Sequence, residues 1–217
     1  MKEEHKRMLQ EIESEAAYTA SFTGRKKFSR QVMDAMTEVI REKFVPPNYK
    51  PLAYENGPLP IGHGQTISQP YIVALMTDLL ELTPESTVLE IGTGSGYQAA
   101  ILSRLAKKVY TIERIEQLAD AAGERFKELG YDNIEIQCAN GYTGWQEKAP
   151  FDGIIVTAAA SHIPPALTEQ LKPGGRMVIP IGLPYMHQEL MLVTKTGNGE
   201  TKSKYVLGVS FVPLITE

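Results

Sequence analysis

Cysteine, histidine and excess charge are all scarce in this chain. Cys138 is the only cysteine, so no intrachain disulfide can form and a cysteine-based zinc site within one chain is excluded. The histidines, His5, His63, His162 and His187, share no ligand spacing, and no metal is expected. No apolar run approaches the ~18 residues of a membrane span. The charged opening from Lys2 to Arg7 is not followed by the apolar stretch of a secretory signal, which makes the cytoplasm the expected compartment. A net charge of −4 argues against a broad phosphate-binding face, so neither nucleic acid nor a membrane is an expected partner. Internal repeats are absent, which excludes solenoids. What remains is a globular chain of 217 residues, long enough to bury a substantial core.

That core is organised around one turn. The apolar run Thr87 to Ile91 ends in Gly92, Gly94 and Gly96, and the Ala-rich segment Tyr97 to Ala106 follows. This is the pattern of a buried parallel strand, a tight glycine turn and a helix. Before it, residues 2–18 carry Met8, Leu9, Ile12 and Ala16 at helical spacing, and Thr23-Gly24 breaks the pattern. A second helix is expected over Ser29 to Lys43, with its apolar stripe in the core, ending at Pro46-Pro47. Residues 46–70 are rich in proline and glycine but keep Tyr49, Tyr54, Leu59, Ile61 and Ile67, which reads as an ordered binding loop. A helix from Tyr71 to Leu80 leads into the first strand.

From there strands and helices alternate. Strands are expected at Val88–Ile91, Lys108–Ile112, Ile134–Cys138, Phe151–Val156 and Arg176–Ile181. Helices are expected at Tyr97–Leu105, Ile115–Leu129 and Ile163–Gln170. Glu189–Thr194 and Lys204–Leu214 form a closing strand pair around Gly197-Asn198-Gly199. The fold class is therefore α/β: a doubly wound, mostly parallel sheet with an antiparallel edge, plus N-terminal helices. The expected organisation is a single domain, with a helical segment over 1–45, a substrate and cofactor loop over 46–70 and the cofactor-binding core over 71–217.

A glycine turn after a first strand can hold a dinucleotide, a phosphate or S-adenosylmethionine. The Gly-x-x-x-x-Gly-Lys phosphate loop is missing, and the dinucleotide pattern Gly-x-Gly-x-x-Gly is broken because Gly96 comes early and Tyr97 fills a position that should be small. Glu113, about 20 residues past the turn at a strand end, can accept hydrogen bonds from ribose hydroxyls. Glu90-Ile91-Gly92-Thr93-Gly94-Ser95-Gly96 resembles the first motif of the Rossmann-like S-adenosylmethionine-dependent methyltransferases. That resemblance puts Glu90 near the methionine end of the cofactor, with Gly92, Gly94 and Gly96 beneath it. It puts Asn140 and Gly141 near the adenine. Asn140 stands where relatives carry Asp, so it accepts there without charge, and altered adenine recognition is expected.

The substrate is named by another stretch. Leu59 through Pro70, with Gln65-Thr66-Ile67-Ser68 at its centre, resembles the signature of the protein-L-isoaspartate O-methyltransferase family. The likeness continues through Tyr110 to Arg114, Ala149 to Asp152, Ile155 to Ala159, Leu171 to Gly175 and Phe211 to Leu214. It implies methyl transfer from S-adenosylmethionine to the free α-carboxylate of an L-isoaspartyl residue, with S-adenosylhomocysteine as product. The ester then re-closes to a succinimide, which starts repair of the damaged peptide or protein. The resemblance makes Ser68 the catalytic residue. Gln65, Thr66 and Thr157 are expected to position substrate. Ser68 could equally cap the helix after Pro70, and His63 reads as a loop histidine rather than a base, because the nucleophile is already ionised. Ser210 and His162 depart from the family pattern. The alternative is a methyltransferase acting on another carboxylate or a small molecule. A monomer is expected.

Overall fold

The computed structural model describes residues 1–184 and 186–215. It opens with helix α1 (Glu3–Thr23), which buries His5, Met8, Ile12 and Ala16 at intervals of three and four residues. The helix runs five residues beyond the stretch 2–18 that periodicity marks. It stops at Gly24, whose left-handed backbone returns its N–H to the Ala20 carbonyl at 2.9 Å. Helix α2 (Arg30–Glu38) is shorter than expected. The β-branched residues Val39 and Ile40 take extended backbone, and Arg41–Phe44 turns inward as a 3-10 turn.

The segment 46–70 is not irregular throughout. After a 3-10 turn at Pro47–Leu52 it forms a hairpin, β1 (Leu59–Gly62) with β2 (Gln65–Ile67). Gly62 pairs with Gln65 across the two-residue loop His63-Gly64, whose φ angles of 53° and 70° are both positive, as in the tight turns that suit hairpins. Helix α3 (Pro70–Leu79) follows, with Pro70 at its first position and all ten residues buried.

Seven strands make the central sheet: β3 (Thr87–Ile91), β4 (Lys108–Glu113), β5 (Ile134–Cys138), β6 (Phe151–Val156), β7 (Leu171–Ile181), β8 (Gln188–Lys195) and β9 (Thr201–Val209). Their order is β5-β4-β3-β6-β7-β8-β9. Pairs from β5 through β7 are parallel, whereas β8 and β9 are antiparallel. The sheet is thus mostly parallel with an antiparallel edge. Helices α4 (Tyr97–Ser103), α5 (Glu116–Glu128) and α6 (Pro165–Gln170) connect the strands. α6 starts two residues late because Pro164-Pro165 sets its first turn. β7 starts earlier than expected, with Lys172 to Gly175 bulging out between the Phe151–Leu171 and Gly153–Arg176 pairs. β9 ends at Val209, before the expected Leu214, and the chain to Ile215 then leaves the sheet to lie along Ala159.

Strand alternation divides the core in two. Val88, Val109, Ile155, Val178 and Leu190 face helices α1 to α5, whereas Leu89, Ile91, Ile112, Ile154, Val156 and Met177 face α6 and the turns around Trp145. Among the described residues no helix is long and apolar enough to cross a membrane, and no cluster of His, Cys, Asp and Glu could hold a metal ion.

Candidate active site

The glycine turn sits where β3 ends in the middle of the parallel strands, at the point where strand order reverses between β4 and β6. The Gly92 and Thr93 N–H groups both donate to the Ile112 carbonyl, at 2.8 and 3.2 Å. Gly92 has φ 95°, and a Cβ there would stand 2.6 Å from the Thr157 hydroxyl. Gly96 is needed for another reason: a Cβ would stand 2.6 Å from the ring of Phe126 on α5. Gly92 and Gly94 line the cleft above the turn, while Gly96 lets the next helix pack.

A cleft with about 710 Å³ of empty space, part of it open to solvent, lies above this turn. Gln65, Thr66, Ser68, Gly92, Gly94, Glu113, Gly141 and Thr157 line it together. Thr93, Ser95, Gln98, Arg114 and the segment Val212 to Ile215 complete the walls. Glu113 is fixed by backbone amides. One carboxylate oxygen accepts from Gly94 N–H at 2.8 Å, and the other accepts from Arg114 and Ile115 N–H.

Three residues expected at the cofactor do not line the cleft. Gly96 is one, spent on packing. Glu90 is the second: strand alternation turns it to the same side as Val88, where it is fully buried. Burial pushes its carboxyl up to about 8, against the hydrogen bond from the Thr111 hydroxyl, and the nearby Glu113 adds to the rise. Its other oxygen has no partner among the described residues. Among the described residues, Glu90 is linked by hydrogen bonds to the cleft through Thr111, whose hydroxyl lies 2.6 Å from that of the cleft residue Thr93. Asn140 is the third. Its side-chain oxygen accepts from Tyr142 N–H at 3.0 Å and caps the short 3-10 turn Gly141–Thr143.

A second cavity, with about 1,110 Å³ of empty space partly open to solvent, adjoins the first. Glu15 and Thr19 of α1, Tyr71, His187 and the segment Leu207 to Phe211 line it. Thr66, Ser68 and Thr157 belong to both cavities. Their hydroxyls are not equivalent. Thr157 donates to the Gly92 carbonyl at 2.6 Å, so its hydrogen is committed. The Ser68 hydroxyl has no hydrogen-bond partner among the described residues. Ser68 does not cap α3; Pro70 at the first helical position makes Gln69 the flanking residue, and no side chain caps it. The Tyr71 N–H at the start of α3 is donated to the Asn56 side-chain oxygen at 3.1 Å. His63 is exposed at the hairpin tip and lines neither cavity.

Sequence reasoning missed the part played by α1. Glu15 accepts from Asn56 at 2.7 Å and from Gln69 at 3.1 Å, and so ties the helix to the loop beside Ser68. A helix with one apolar stripe leaves its other face looking merely solvated, and no local signal distinguishes Glu15 there.

The model of one protein family, described as protein-L-isoaspartate(D-aspartate) O-methyltransferase (PCMT), matches residues 21–217. Protein-L-isoaspartate O-methyltransferase 2 of Syntrophobacter fumaroxidans is 58% identical over 208 residues, which are 96% of this chain and 84% of that protein. A solved protein-L-isoaspartate O-methyltransferase superposes with a TM-score of 0.82 at 28% identity; 96% of this chain is covered, and the chain spans 65% of that one. A protein-L-isoaspartate O-methyltransferase from Plasmodium falciparum, solved in complex with S-adenosyl-L-homocysteine, superposes with a TM-score of 0.80 at 27% identity, covering 98% of this chain and 99% of that one.

Proposed function

The chain belongs to the protein-L-isoaspartate(D-aspartate) O-methyltransferase family, and from that premise we propose that Ser68 seats the substrate where the two cavities meet. The reaction is the methyl esterification of the free α-carboxylate of L-isoaspartyl residues in damaged peptides and proteins, with S-adenosylmethionine as donor. The observation that carries the assignment of the site is that Thr66, Ser68 and Thr157 line both cavities. The donor fits the first cavity. Gly92 and Gly94 leave backbone bare, Glu113 offers an anchored carboxylate to a ribose diol, and Ile112 and Leu214 give apolar contact for a base. Bound there, S-adenosylmethionine supplies an electrophilic methyl on a sulfonium.

The side chains at the junction suit this chemistry. An α-carboxylate is ionised at neutral pH, so no strong base is needed, and Thr66, Ser68 and Thr157 are all neutral. Ser68 donates to the carboxylate and orients one oxygen toward the donor cavity. Thr157, its hydrogen already given to Gly92, sets the wall rather than binding the anion. Thr66, exposed at the hairpin, and Gln65 beside it help position the incoming peptide. Glu90 supports the turn from below through Thr111 and Thr93 rather than touching the donor. Positioning and partial exclusion of water supply the catalysis. The ester product re-closes to succinimide without further help from the chain. The same reading makes the enzyme a monomer in the cytoplasm with no nucleic-acid partner; residues of one chain line both cavities, and gel filtration checks the oligomeric state.

The test uses labelled S-adenosylmethionine with an isoaspartyl peptide and its aspartyl twin. Base-labile label on the first peptide alone is expected. In Ser68→Ala, turnover falls roughly ten- to hundredfold, while S-adenosylhomocysteine affinity stays within about threefold. Label on neither peptide with tight S-adenosylhomocysteine binding overturns the substrate assignment, and a fully active Ser68→Ala removes the serine.

A further inference from the structure

Arg41 is fully buried, yet no carboxylate pairs with it among the described residues. A lone buried guanidinium is costly unless its donors are used. Burial lowers its pKa to about 10, against the opposing effect of Tyr97, so it keeps its charge at neutral pH. Two of its three nitrogens, Nε and Nη2, donate to the backbone of a single region, while Nη1 has no hydrogen-bond partner among the described residues. Nε donates to the Ala53 carbonyl at 2.9 Å, and Nη2 donates to the Ser68 carbonyl at 2.8 Å and, more weakly, toward Gly57 at 3.4 Å. The planar fork thus gathers three points of the 53–68 segment, the last at the serine itself.

The other side of the guanidinium faces the donor turn. Its central carbon lies 4.8 Å from the centroid of the Tyr97 ring, a cation–π distance. Tyr97 is the first residue of α4, directly after Gly96, and it lines the donor cleft. Phe44, three residues after Arg41, packs edge-on against the same ring at 5.5 Å. One side chain therefore touches the backbone of the acceptor seat and the aromatic floor of the donor seat.

We propose that Arg41 is a positioning residue for methyl transfer, fixing the Ser68 backbone relative to the Tyr97 end of the donor cleft. In-line transfer is sensitive to displacements of about 1 Å, which cost about a hundredfold. Lysine cannot replace the fork: it offers one ammonium where Arg41 spans separate carbonyls and stacks on a ring. Nothing in this role requires Arg41 to touch substrate. It rests on the seating of the acceptor at Ser68.

The experiment is a double-mutant cycle of Arg41→Met and Ser68→Ala, with Arg41→Lys as the conservative variant. For each variant, kcat, KM for an isoaspartyl peptide, S-adenosylhomocysteine affinity and thermal unfolding are measured. Arg41→Met is expected to lower kcat by roughly ten- to hundredfold, with S-adenosylhomocysteine affinity changed by less than about threefold. Arg41→Lys is expected to recover part of that loss and to remain folded. In the Ser68→Ala background most of the Arg41→Met effect disappears, because the two act as a unit. Wild-type kcat in both Arg41 variants overturns the proposal. So does an additive cycle, or a parallel fall in kcat, cofactor affinity and unfolding temperature in Arg41→Lys, which marks a purely structural residue. A neutral Ser68→Ala with an impaired Arg41→Met rejects the serine assignment and the route through its side chain, while a neutral Arg41→Met beside an impaired Ser68→Ala rejects the arginine alone.

Discussion

The two walls of the active site are held by opposite means. The donor wall grows out of the sheet: the turn hangs from β3, its first amides bond to Ile112 on β4, and Gly94 bonds to Glu113 at the end of that strand. The acceptor wall at Ser68 is not part of the central sheet. Its hairpin is only two short strands, and long-range side-chain bonds hold the adjoining segment, from Arg41 to Ser68 and from Glu15 to Asn56 and Gln69. A wall made of strand register resists remote changes, because its bonds are local and numerous. A wall tied by single side chains transmits remote changes directly to the residue it presents.

That contrast can be broken first at Glu90, beneath the donor wall. Its folded pKa of about 8 lies above its ordinary 4.5, so the protonated form favours the folded state. The stabilisation it brings is complete below about pH 4.5 and is lost as the pH rises through 8, a change of at most about 5 kcal/mol. Glu90→Gln should flatten this profile, so that its urea midpoint overtakes that of the wild type between about pH 5 and pH 8. Parallel profiles would mean that the carboxyl is already ionised and the donor wall carries a buried charge. A smaller effect is expected from Gly92→Ala. A Cβ 2.6 Å from the Thr157 hydroxyl, on backbone at φ 95°, should weaken S-adenosylhomocysteine binding about a hundredfold by calorimetry. Undiminished binding would show the donor wall to be as compliant as the acceptor wall. The smallest effect belongs to Asn140→Asp. Aspartate keeps the acceptor for Tyr142 N–H, and cofactor affinity should move by less than about threefold. A larger change would bring that side chain back to the adenine.

What could be read from the sequence follows the same division. Strands Ile134–Cys138 and Phe151–Val156 have the bounds their apolar runs suggest, and the mixed edge follows from the closing hairpin. The glycine turn and Glu113, both legible in the sequence, line the first cavity. The position of Glu90 was also open to reading, since a two-residue period puts it beside Val88 and away from Ile91. The hairpin was not, because strands of four and three residues are too short to show a period among the prolines. Nor was Arg41. Within an amphipathic stretch an arginine looks like a surface residue, and only the folded loop supplies the carbonyls that draw it inside. The free Ser68 hydroxyl depended on a one-residue detail, the placing of Pro70 at the first helical position.

The open edge strand β9 has a further consequence. Lys202 and Lys204 are exposed on it, and β9 is the last strand in the order of the sheet. Charged side chains on an unpaired edge oppose strand addition and the aggregation it seeds. In an enzyme of a family that acts on isoaspartyl residues of other chains, such charges oppose pairing between this edge and an extended substrate strand.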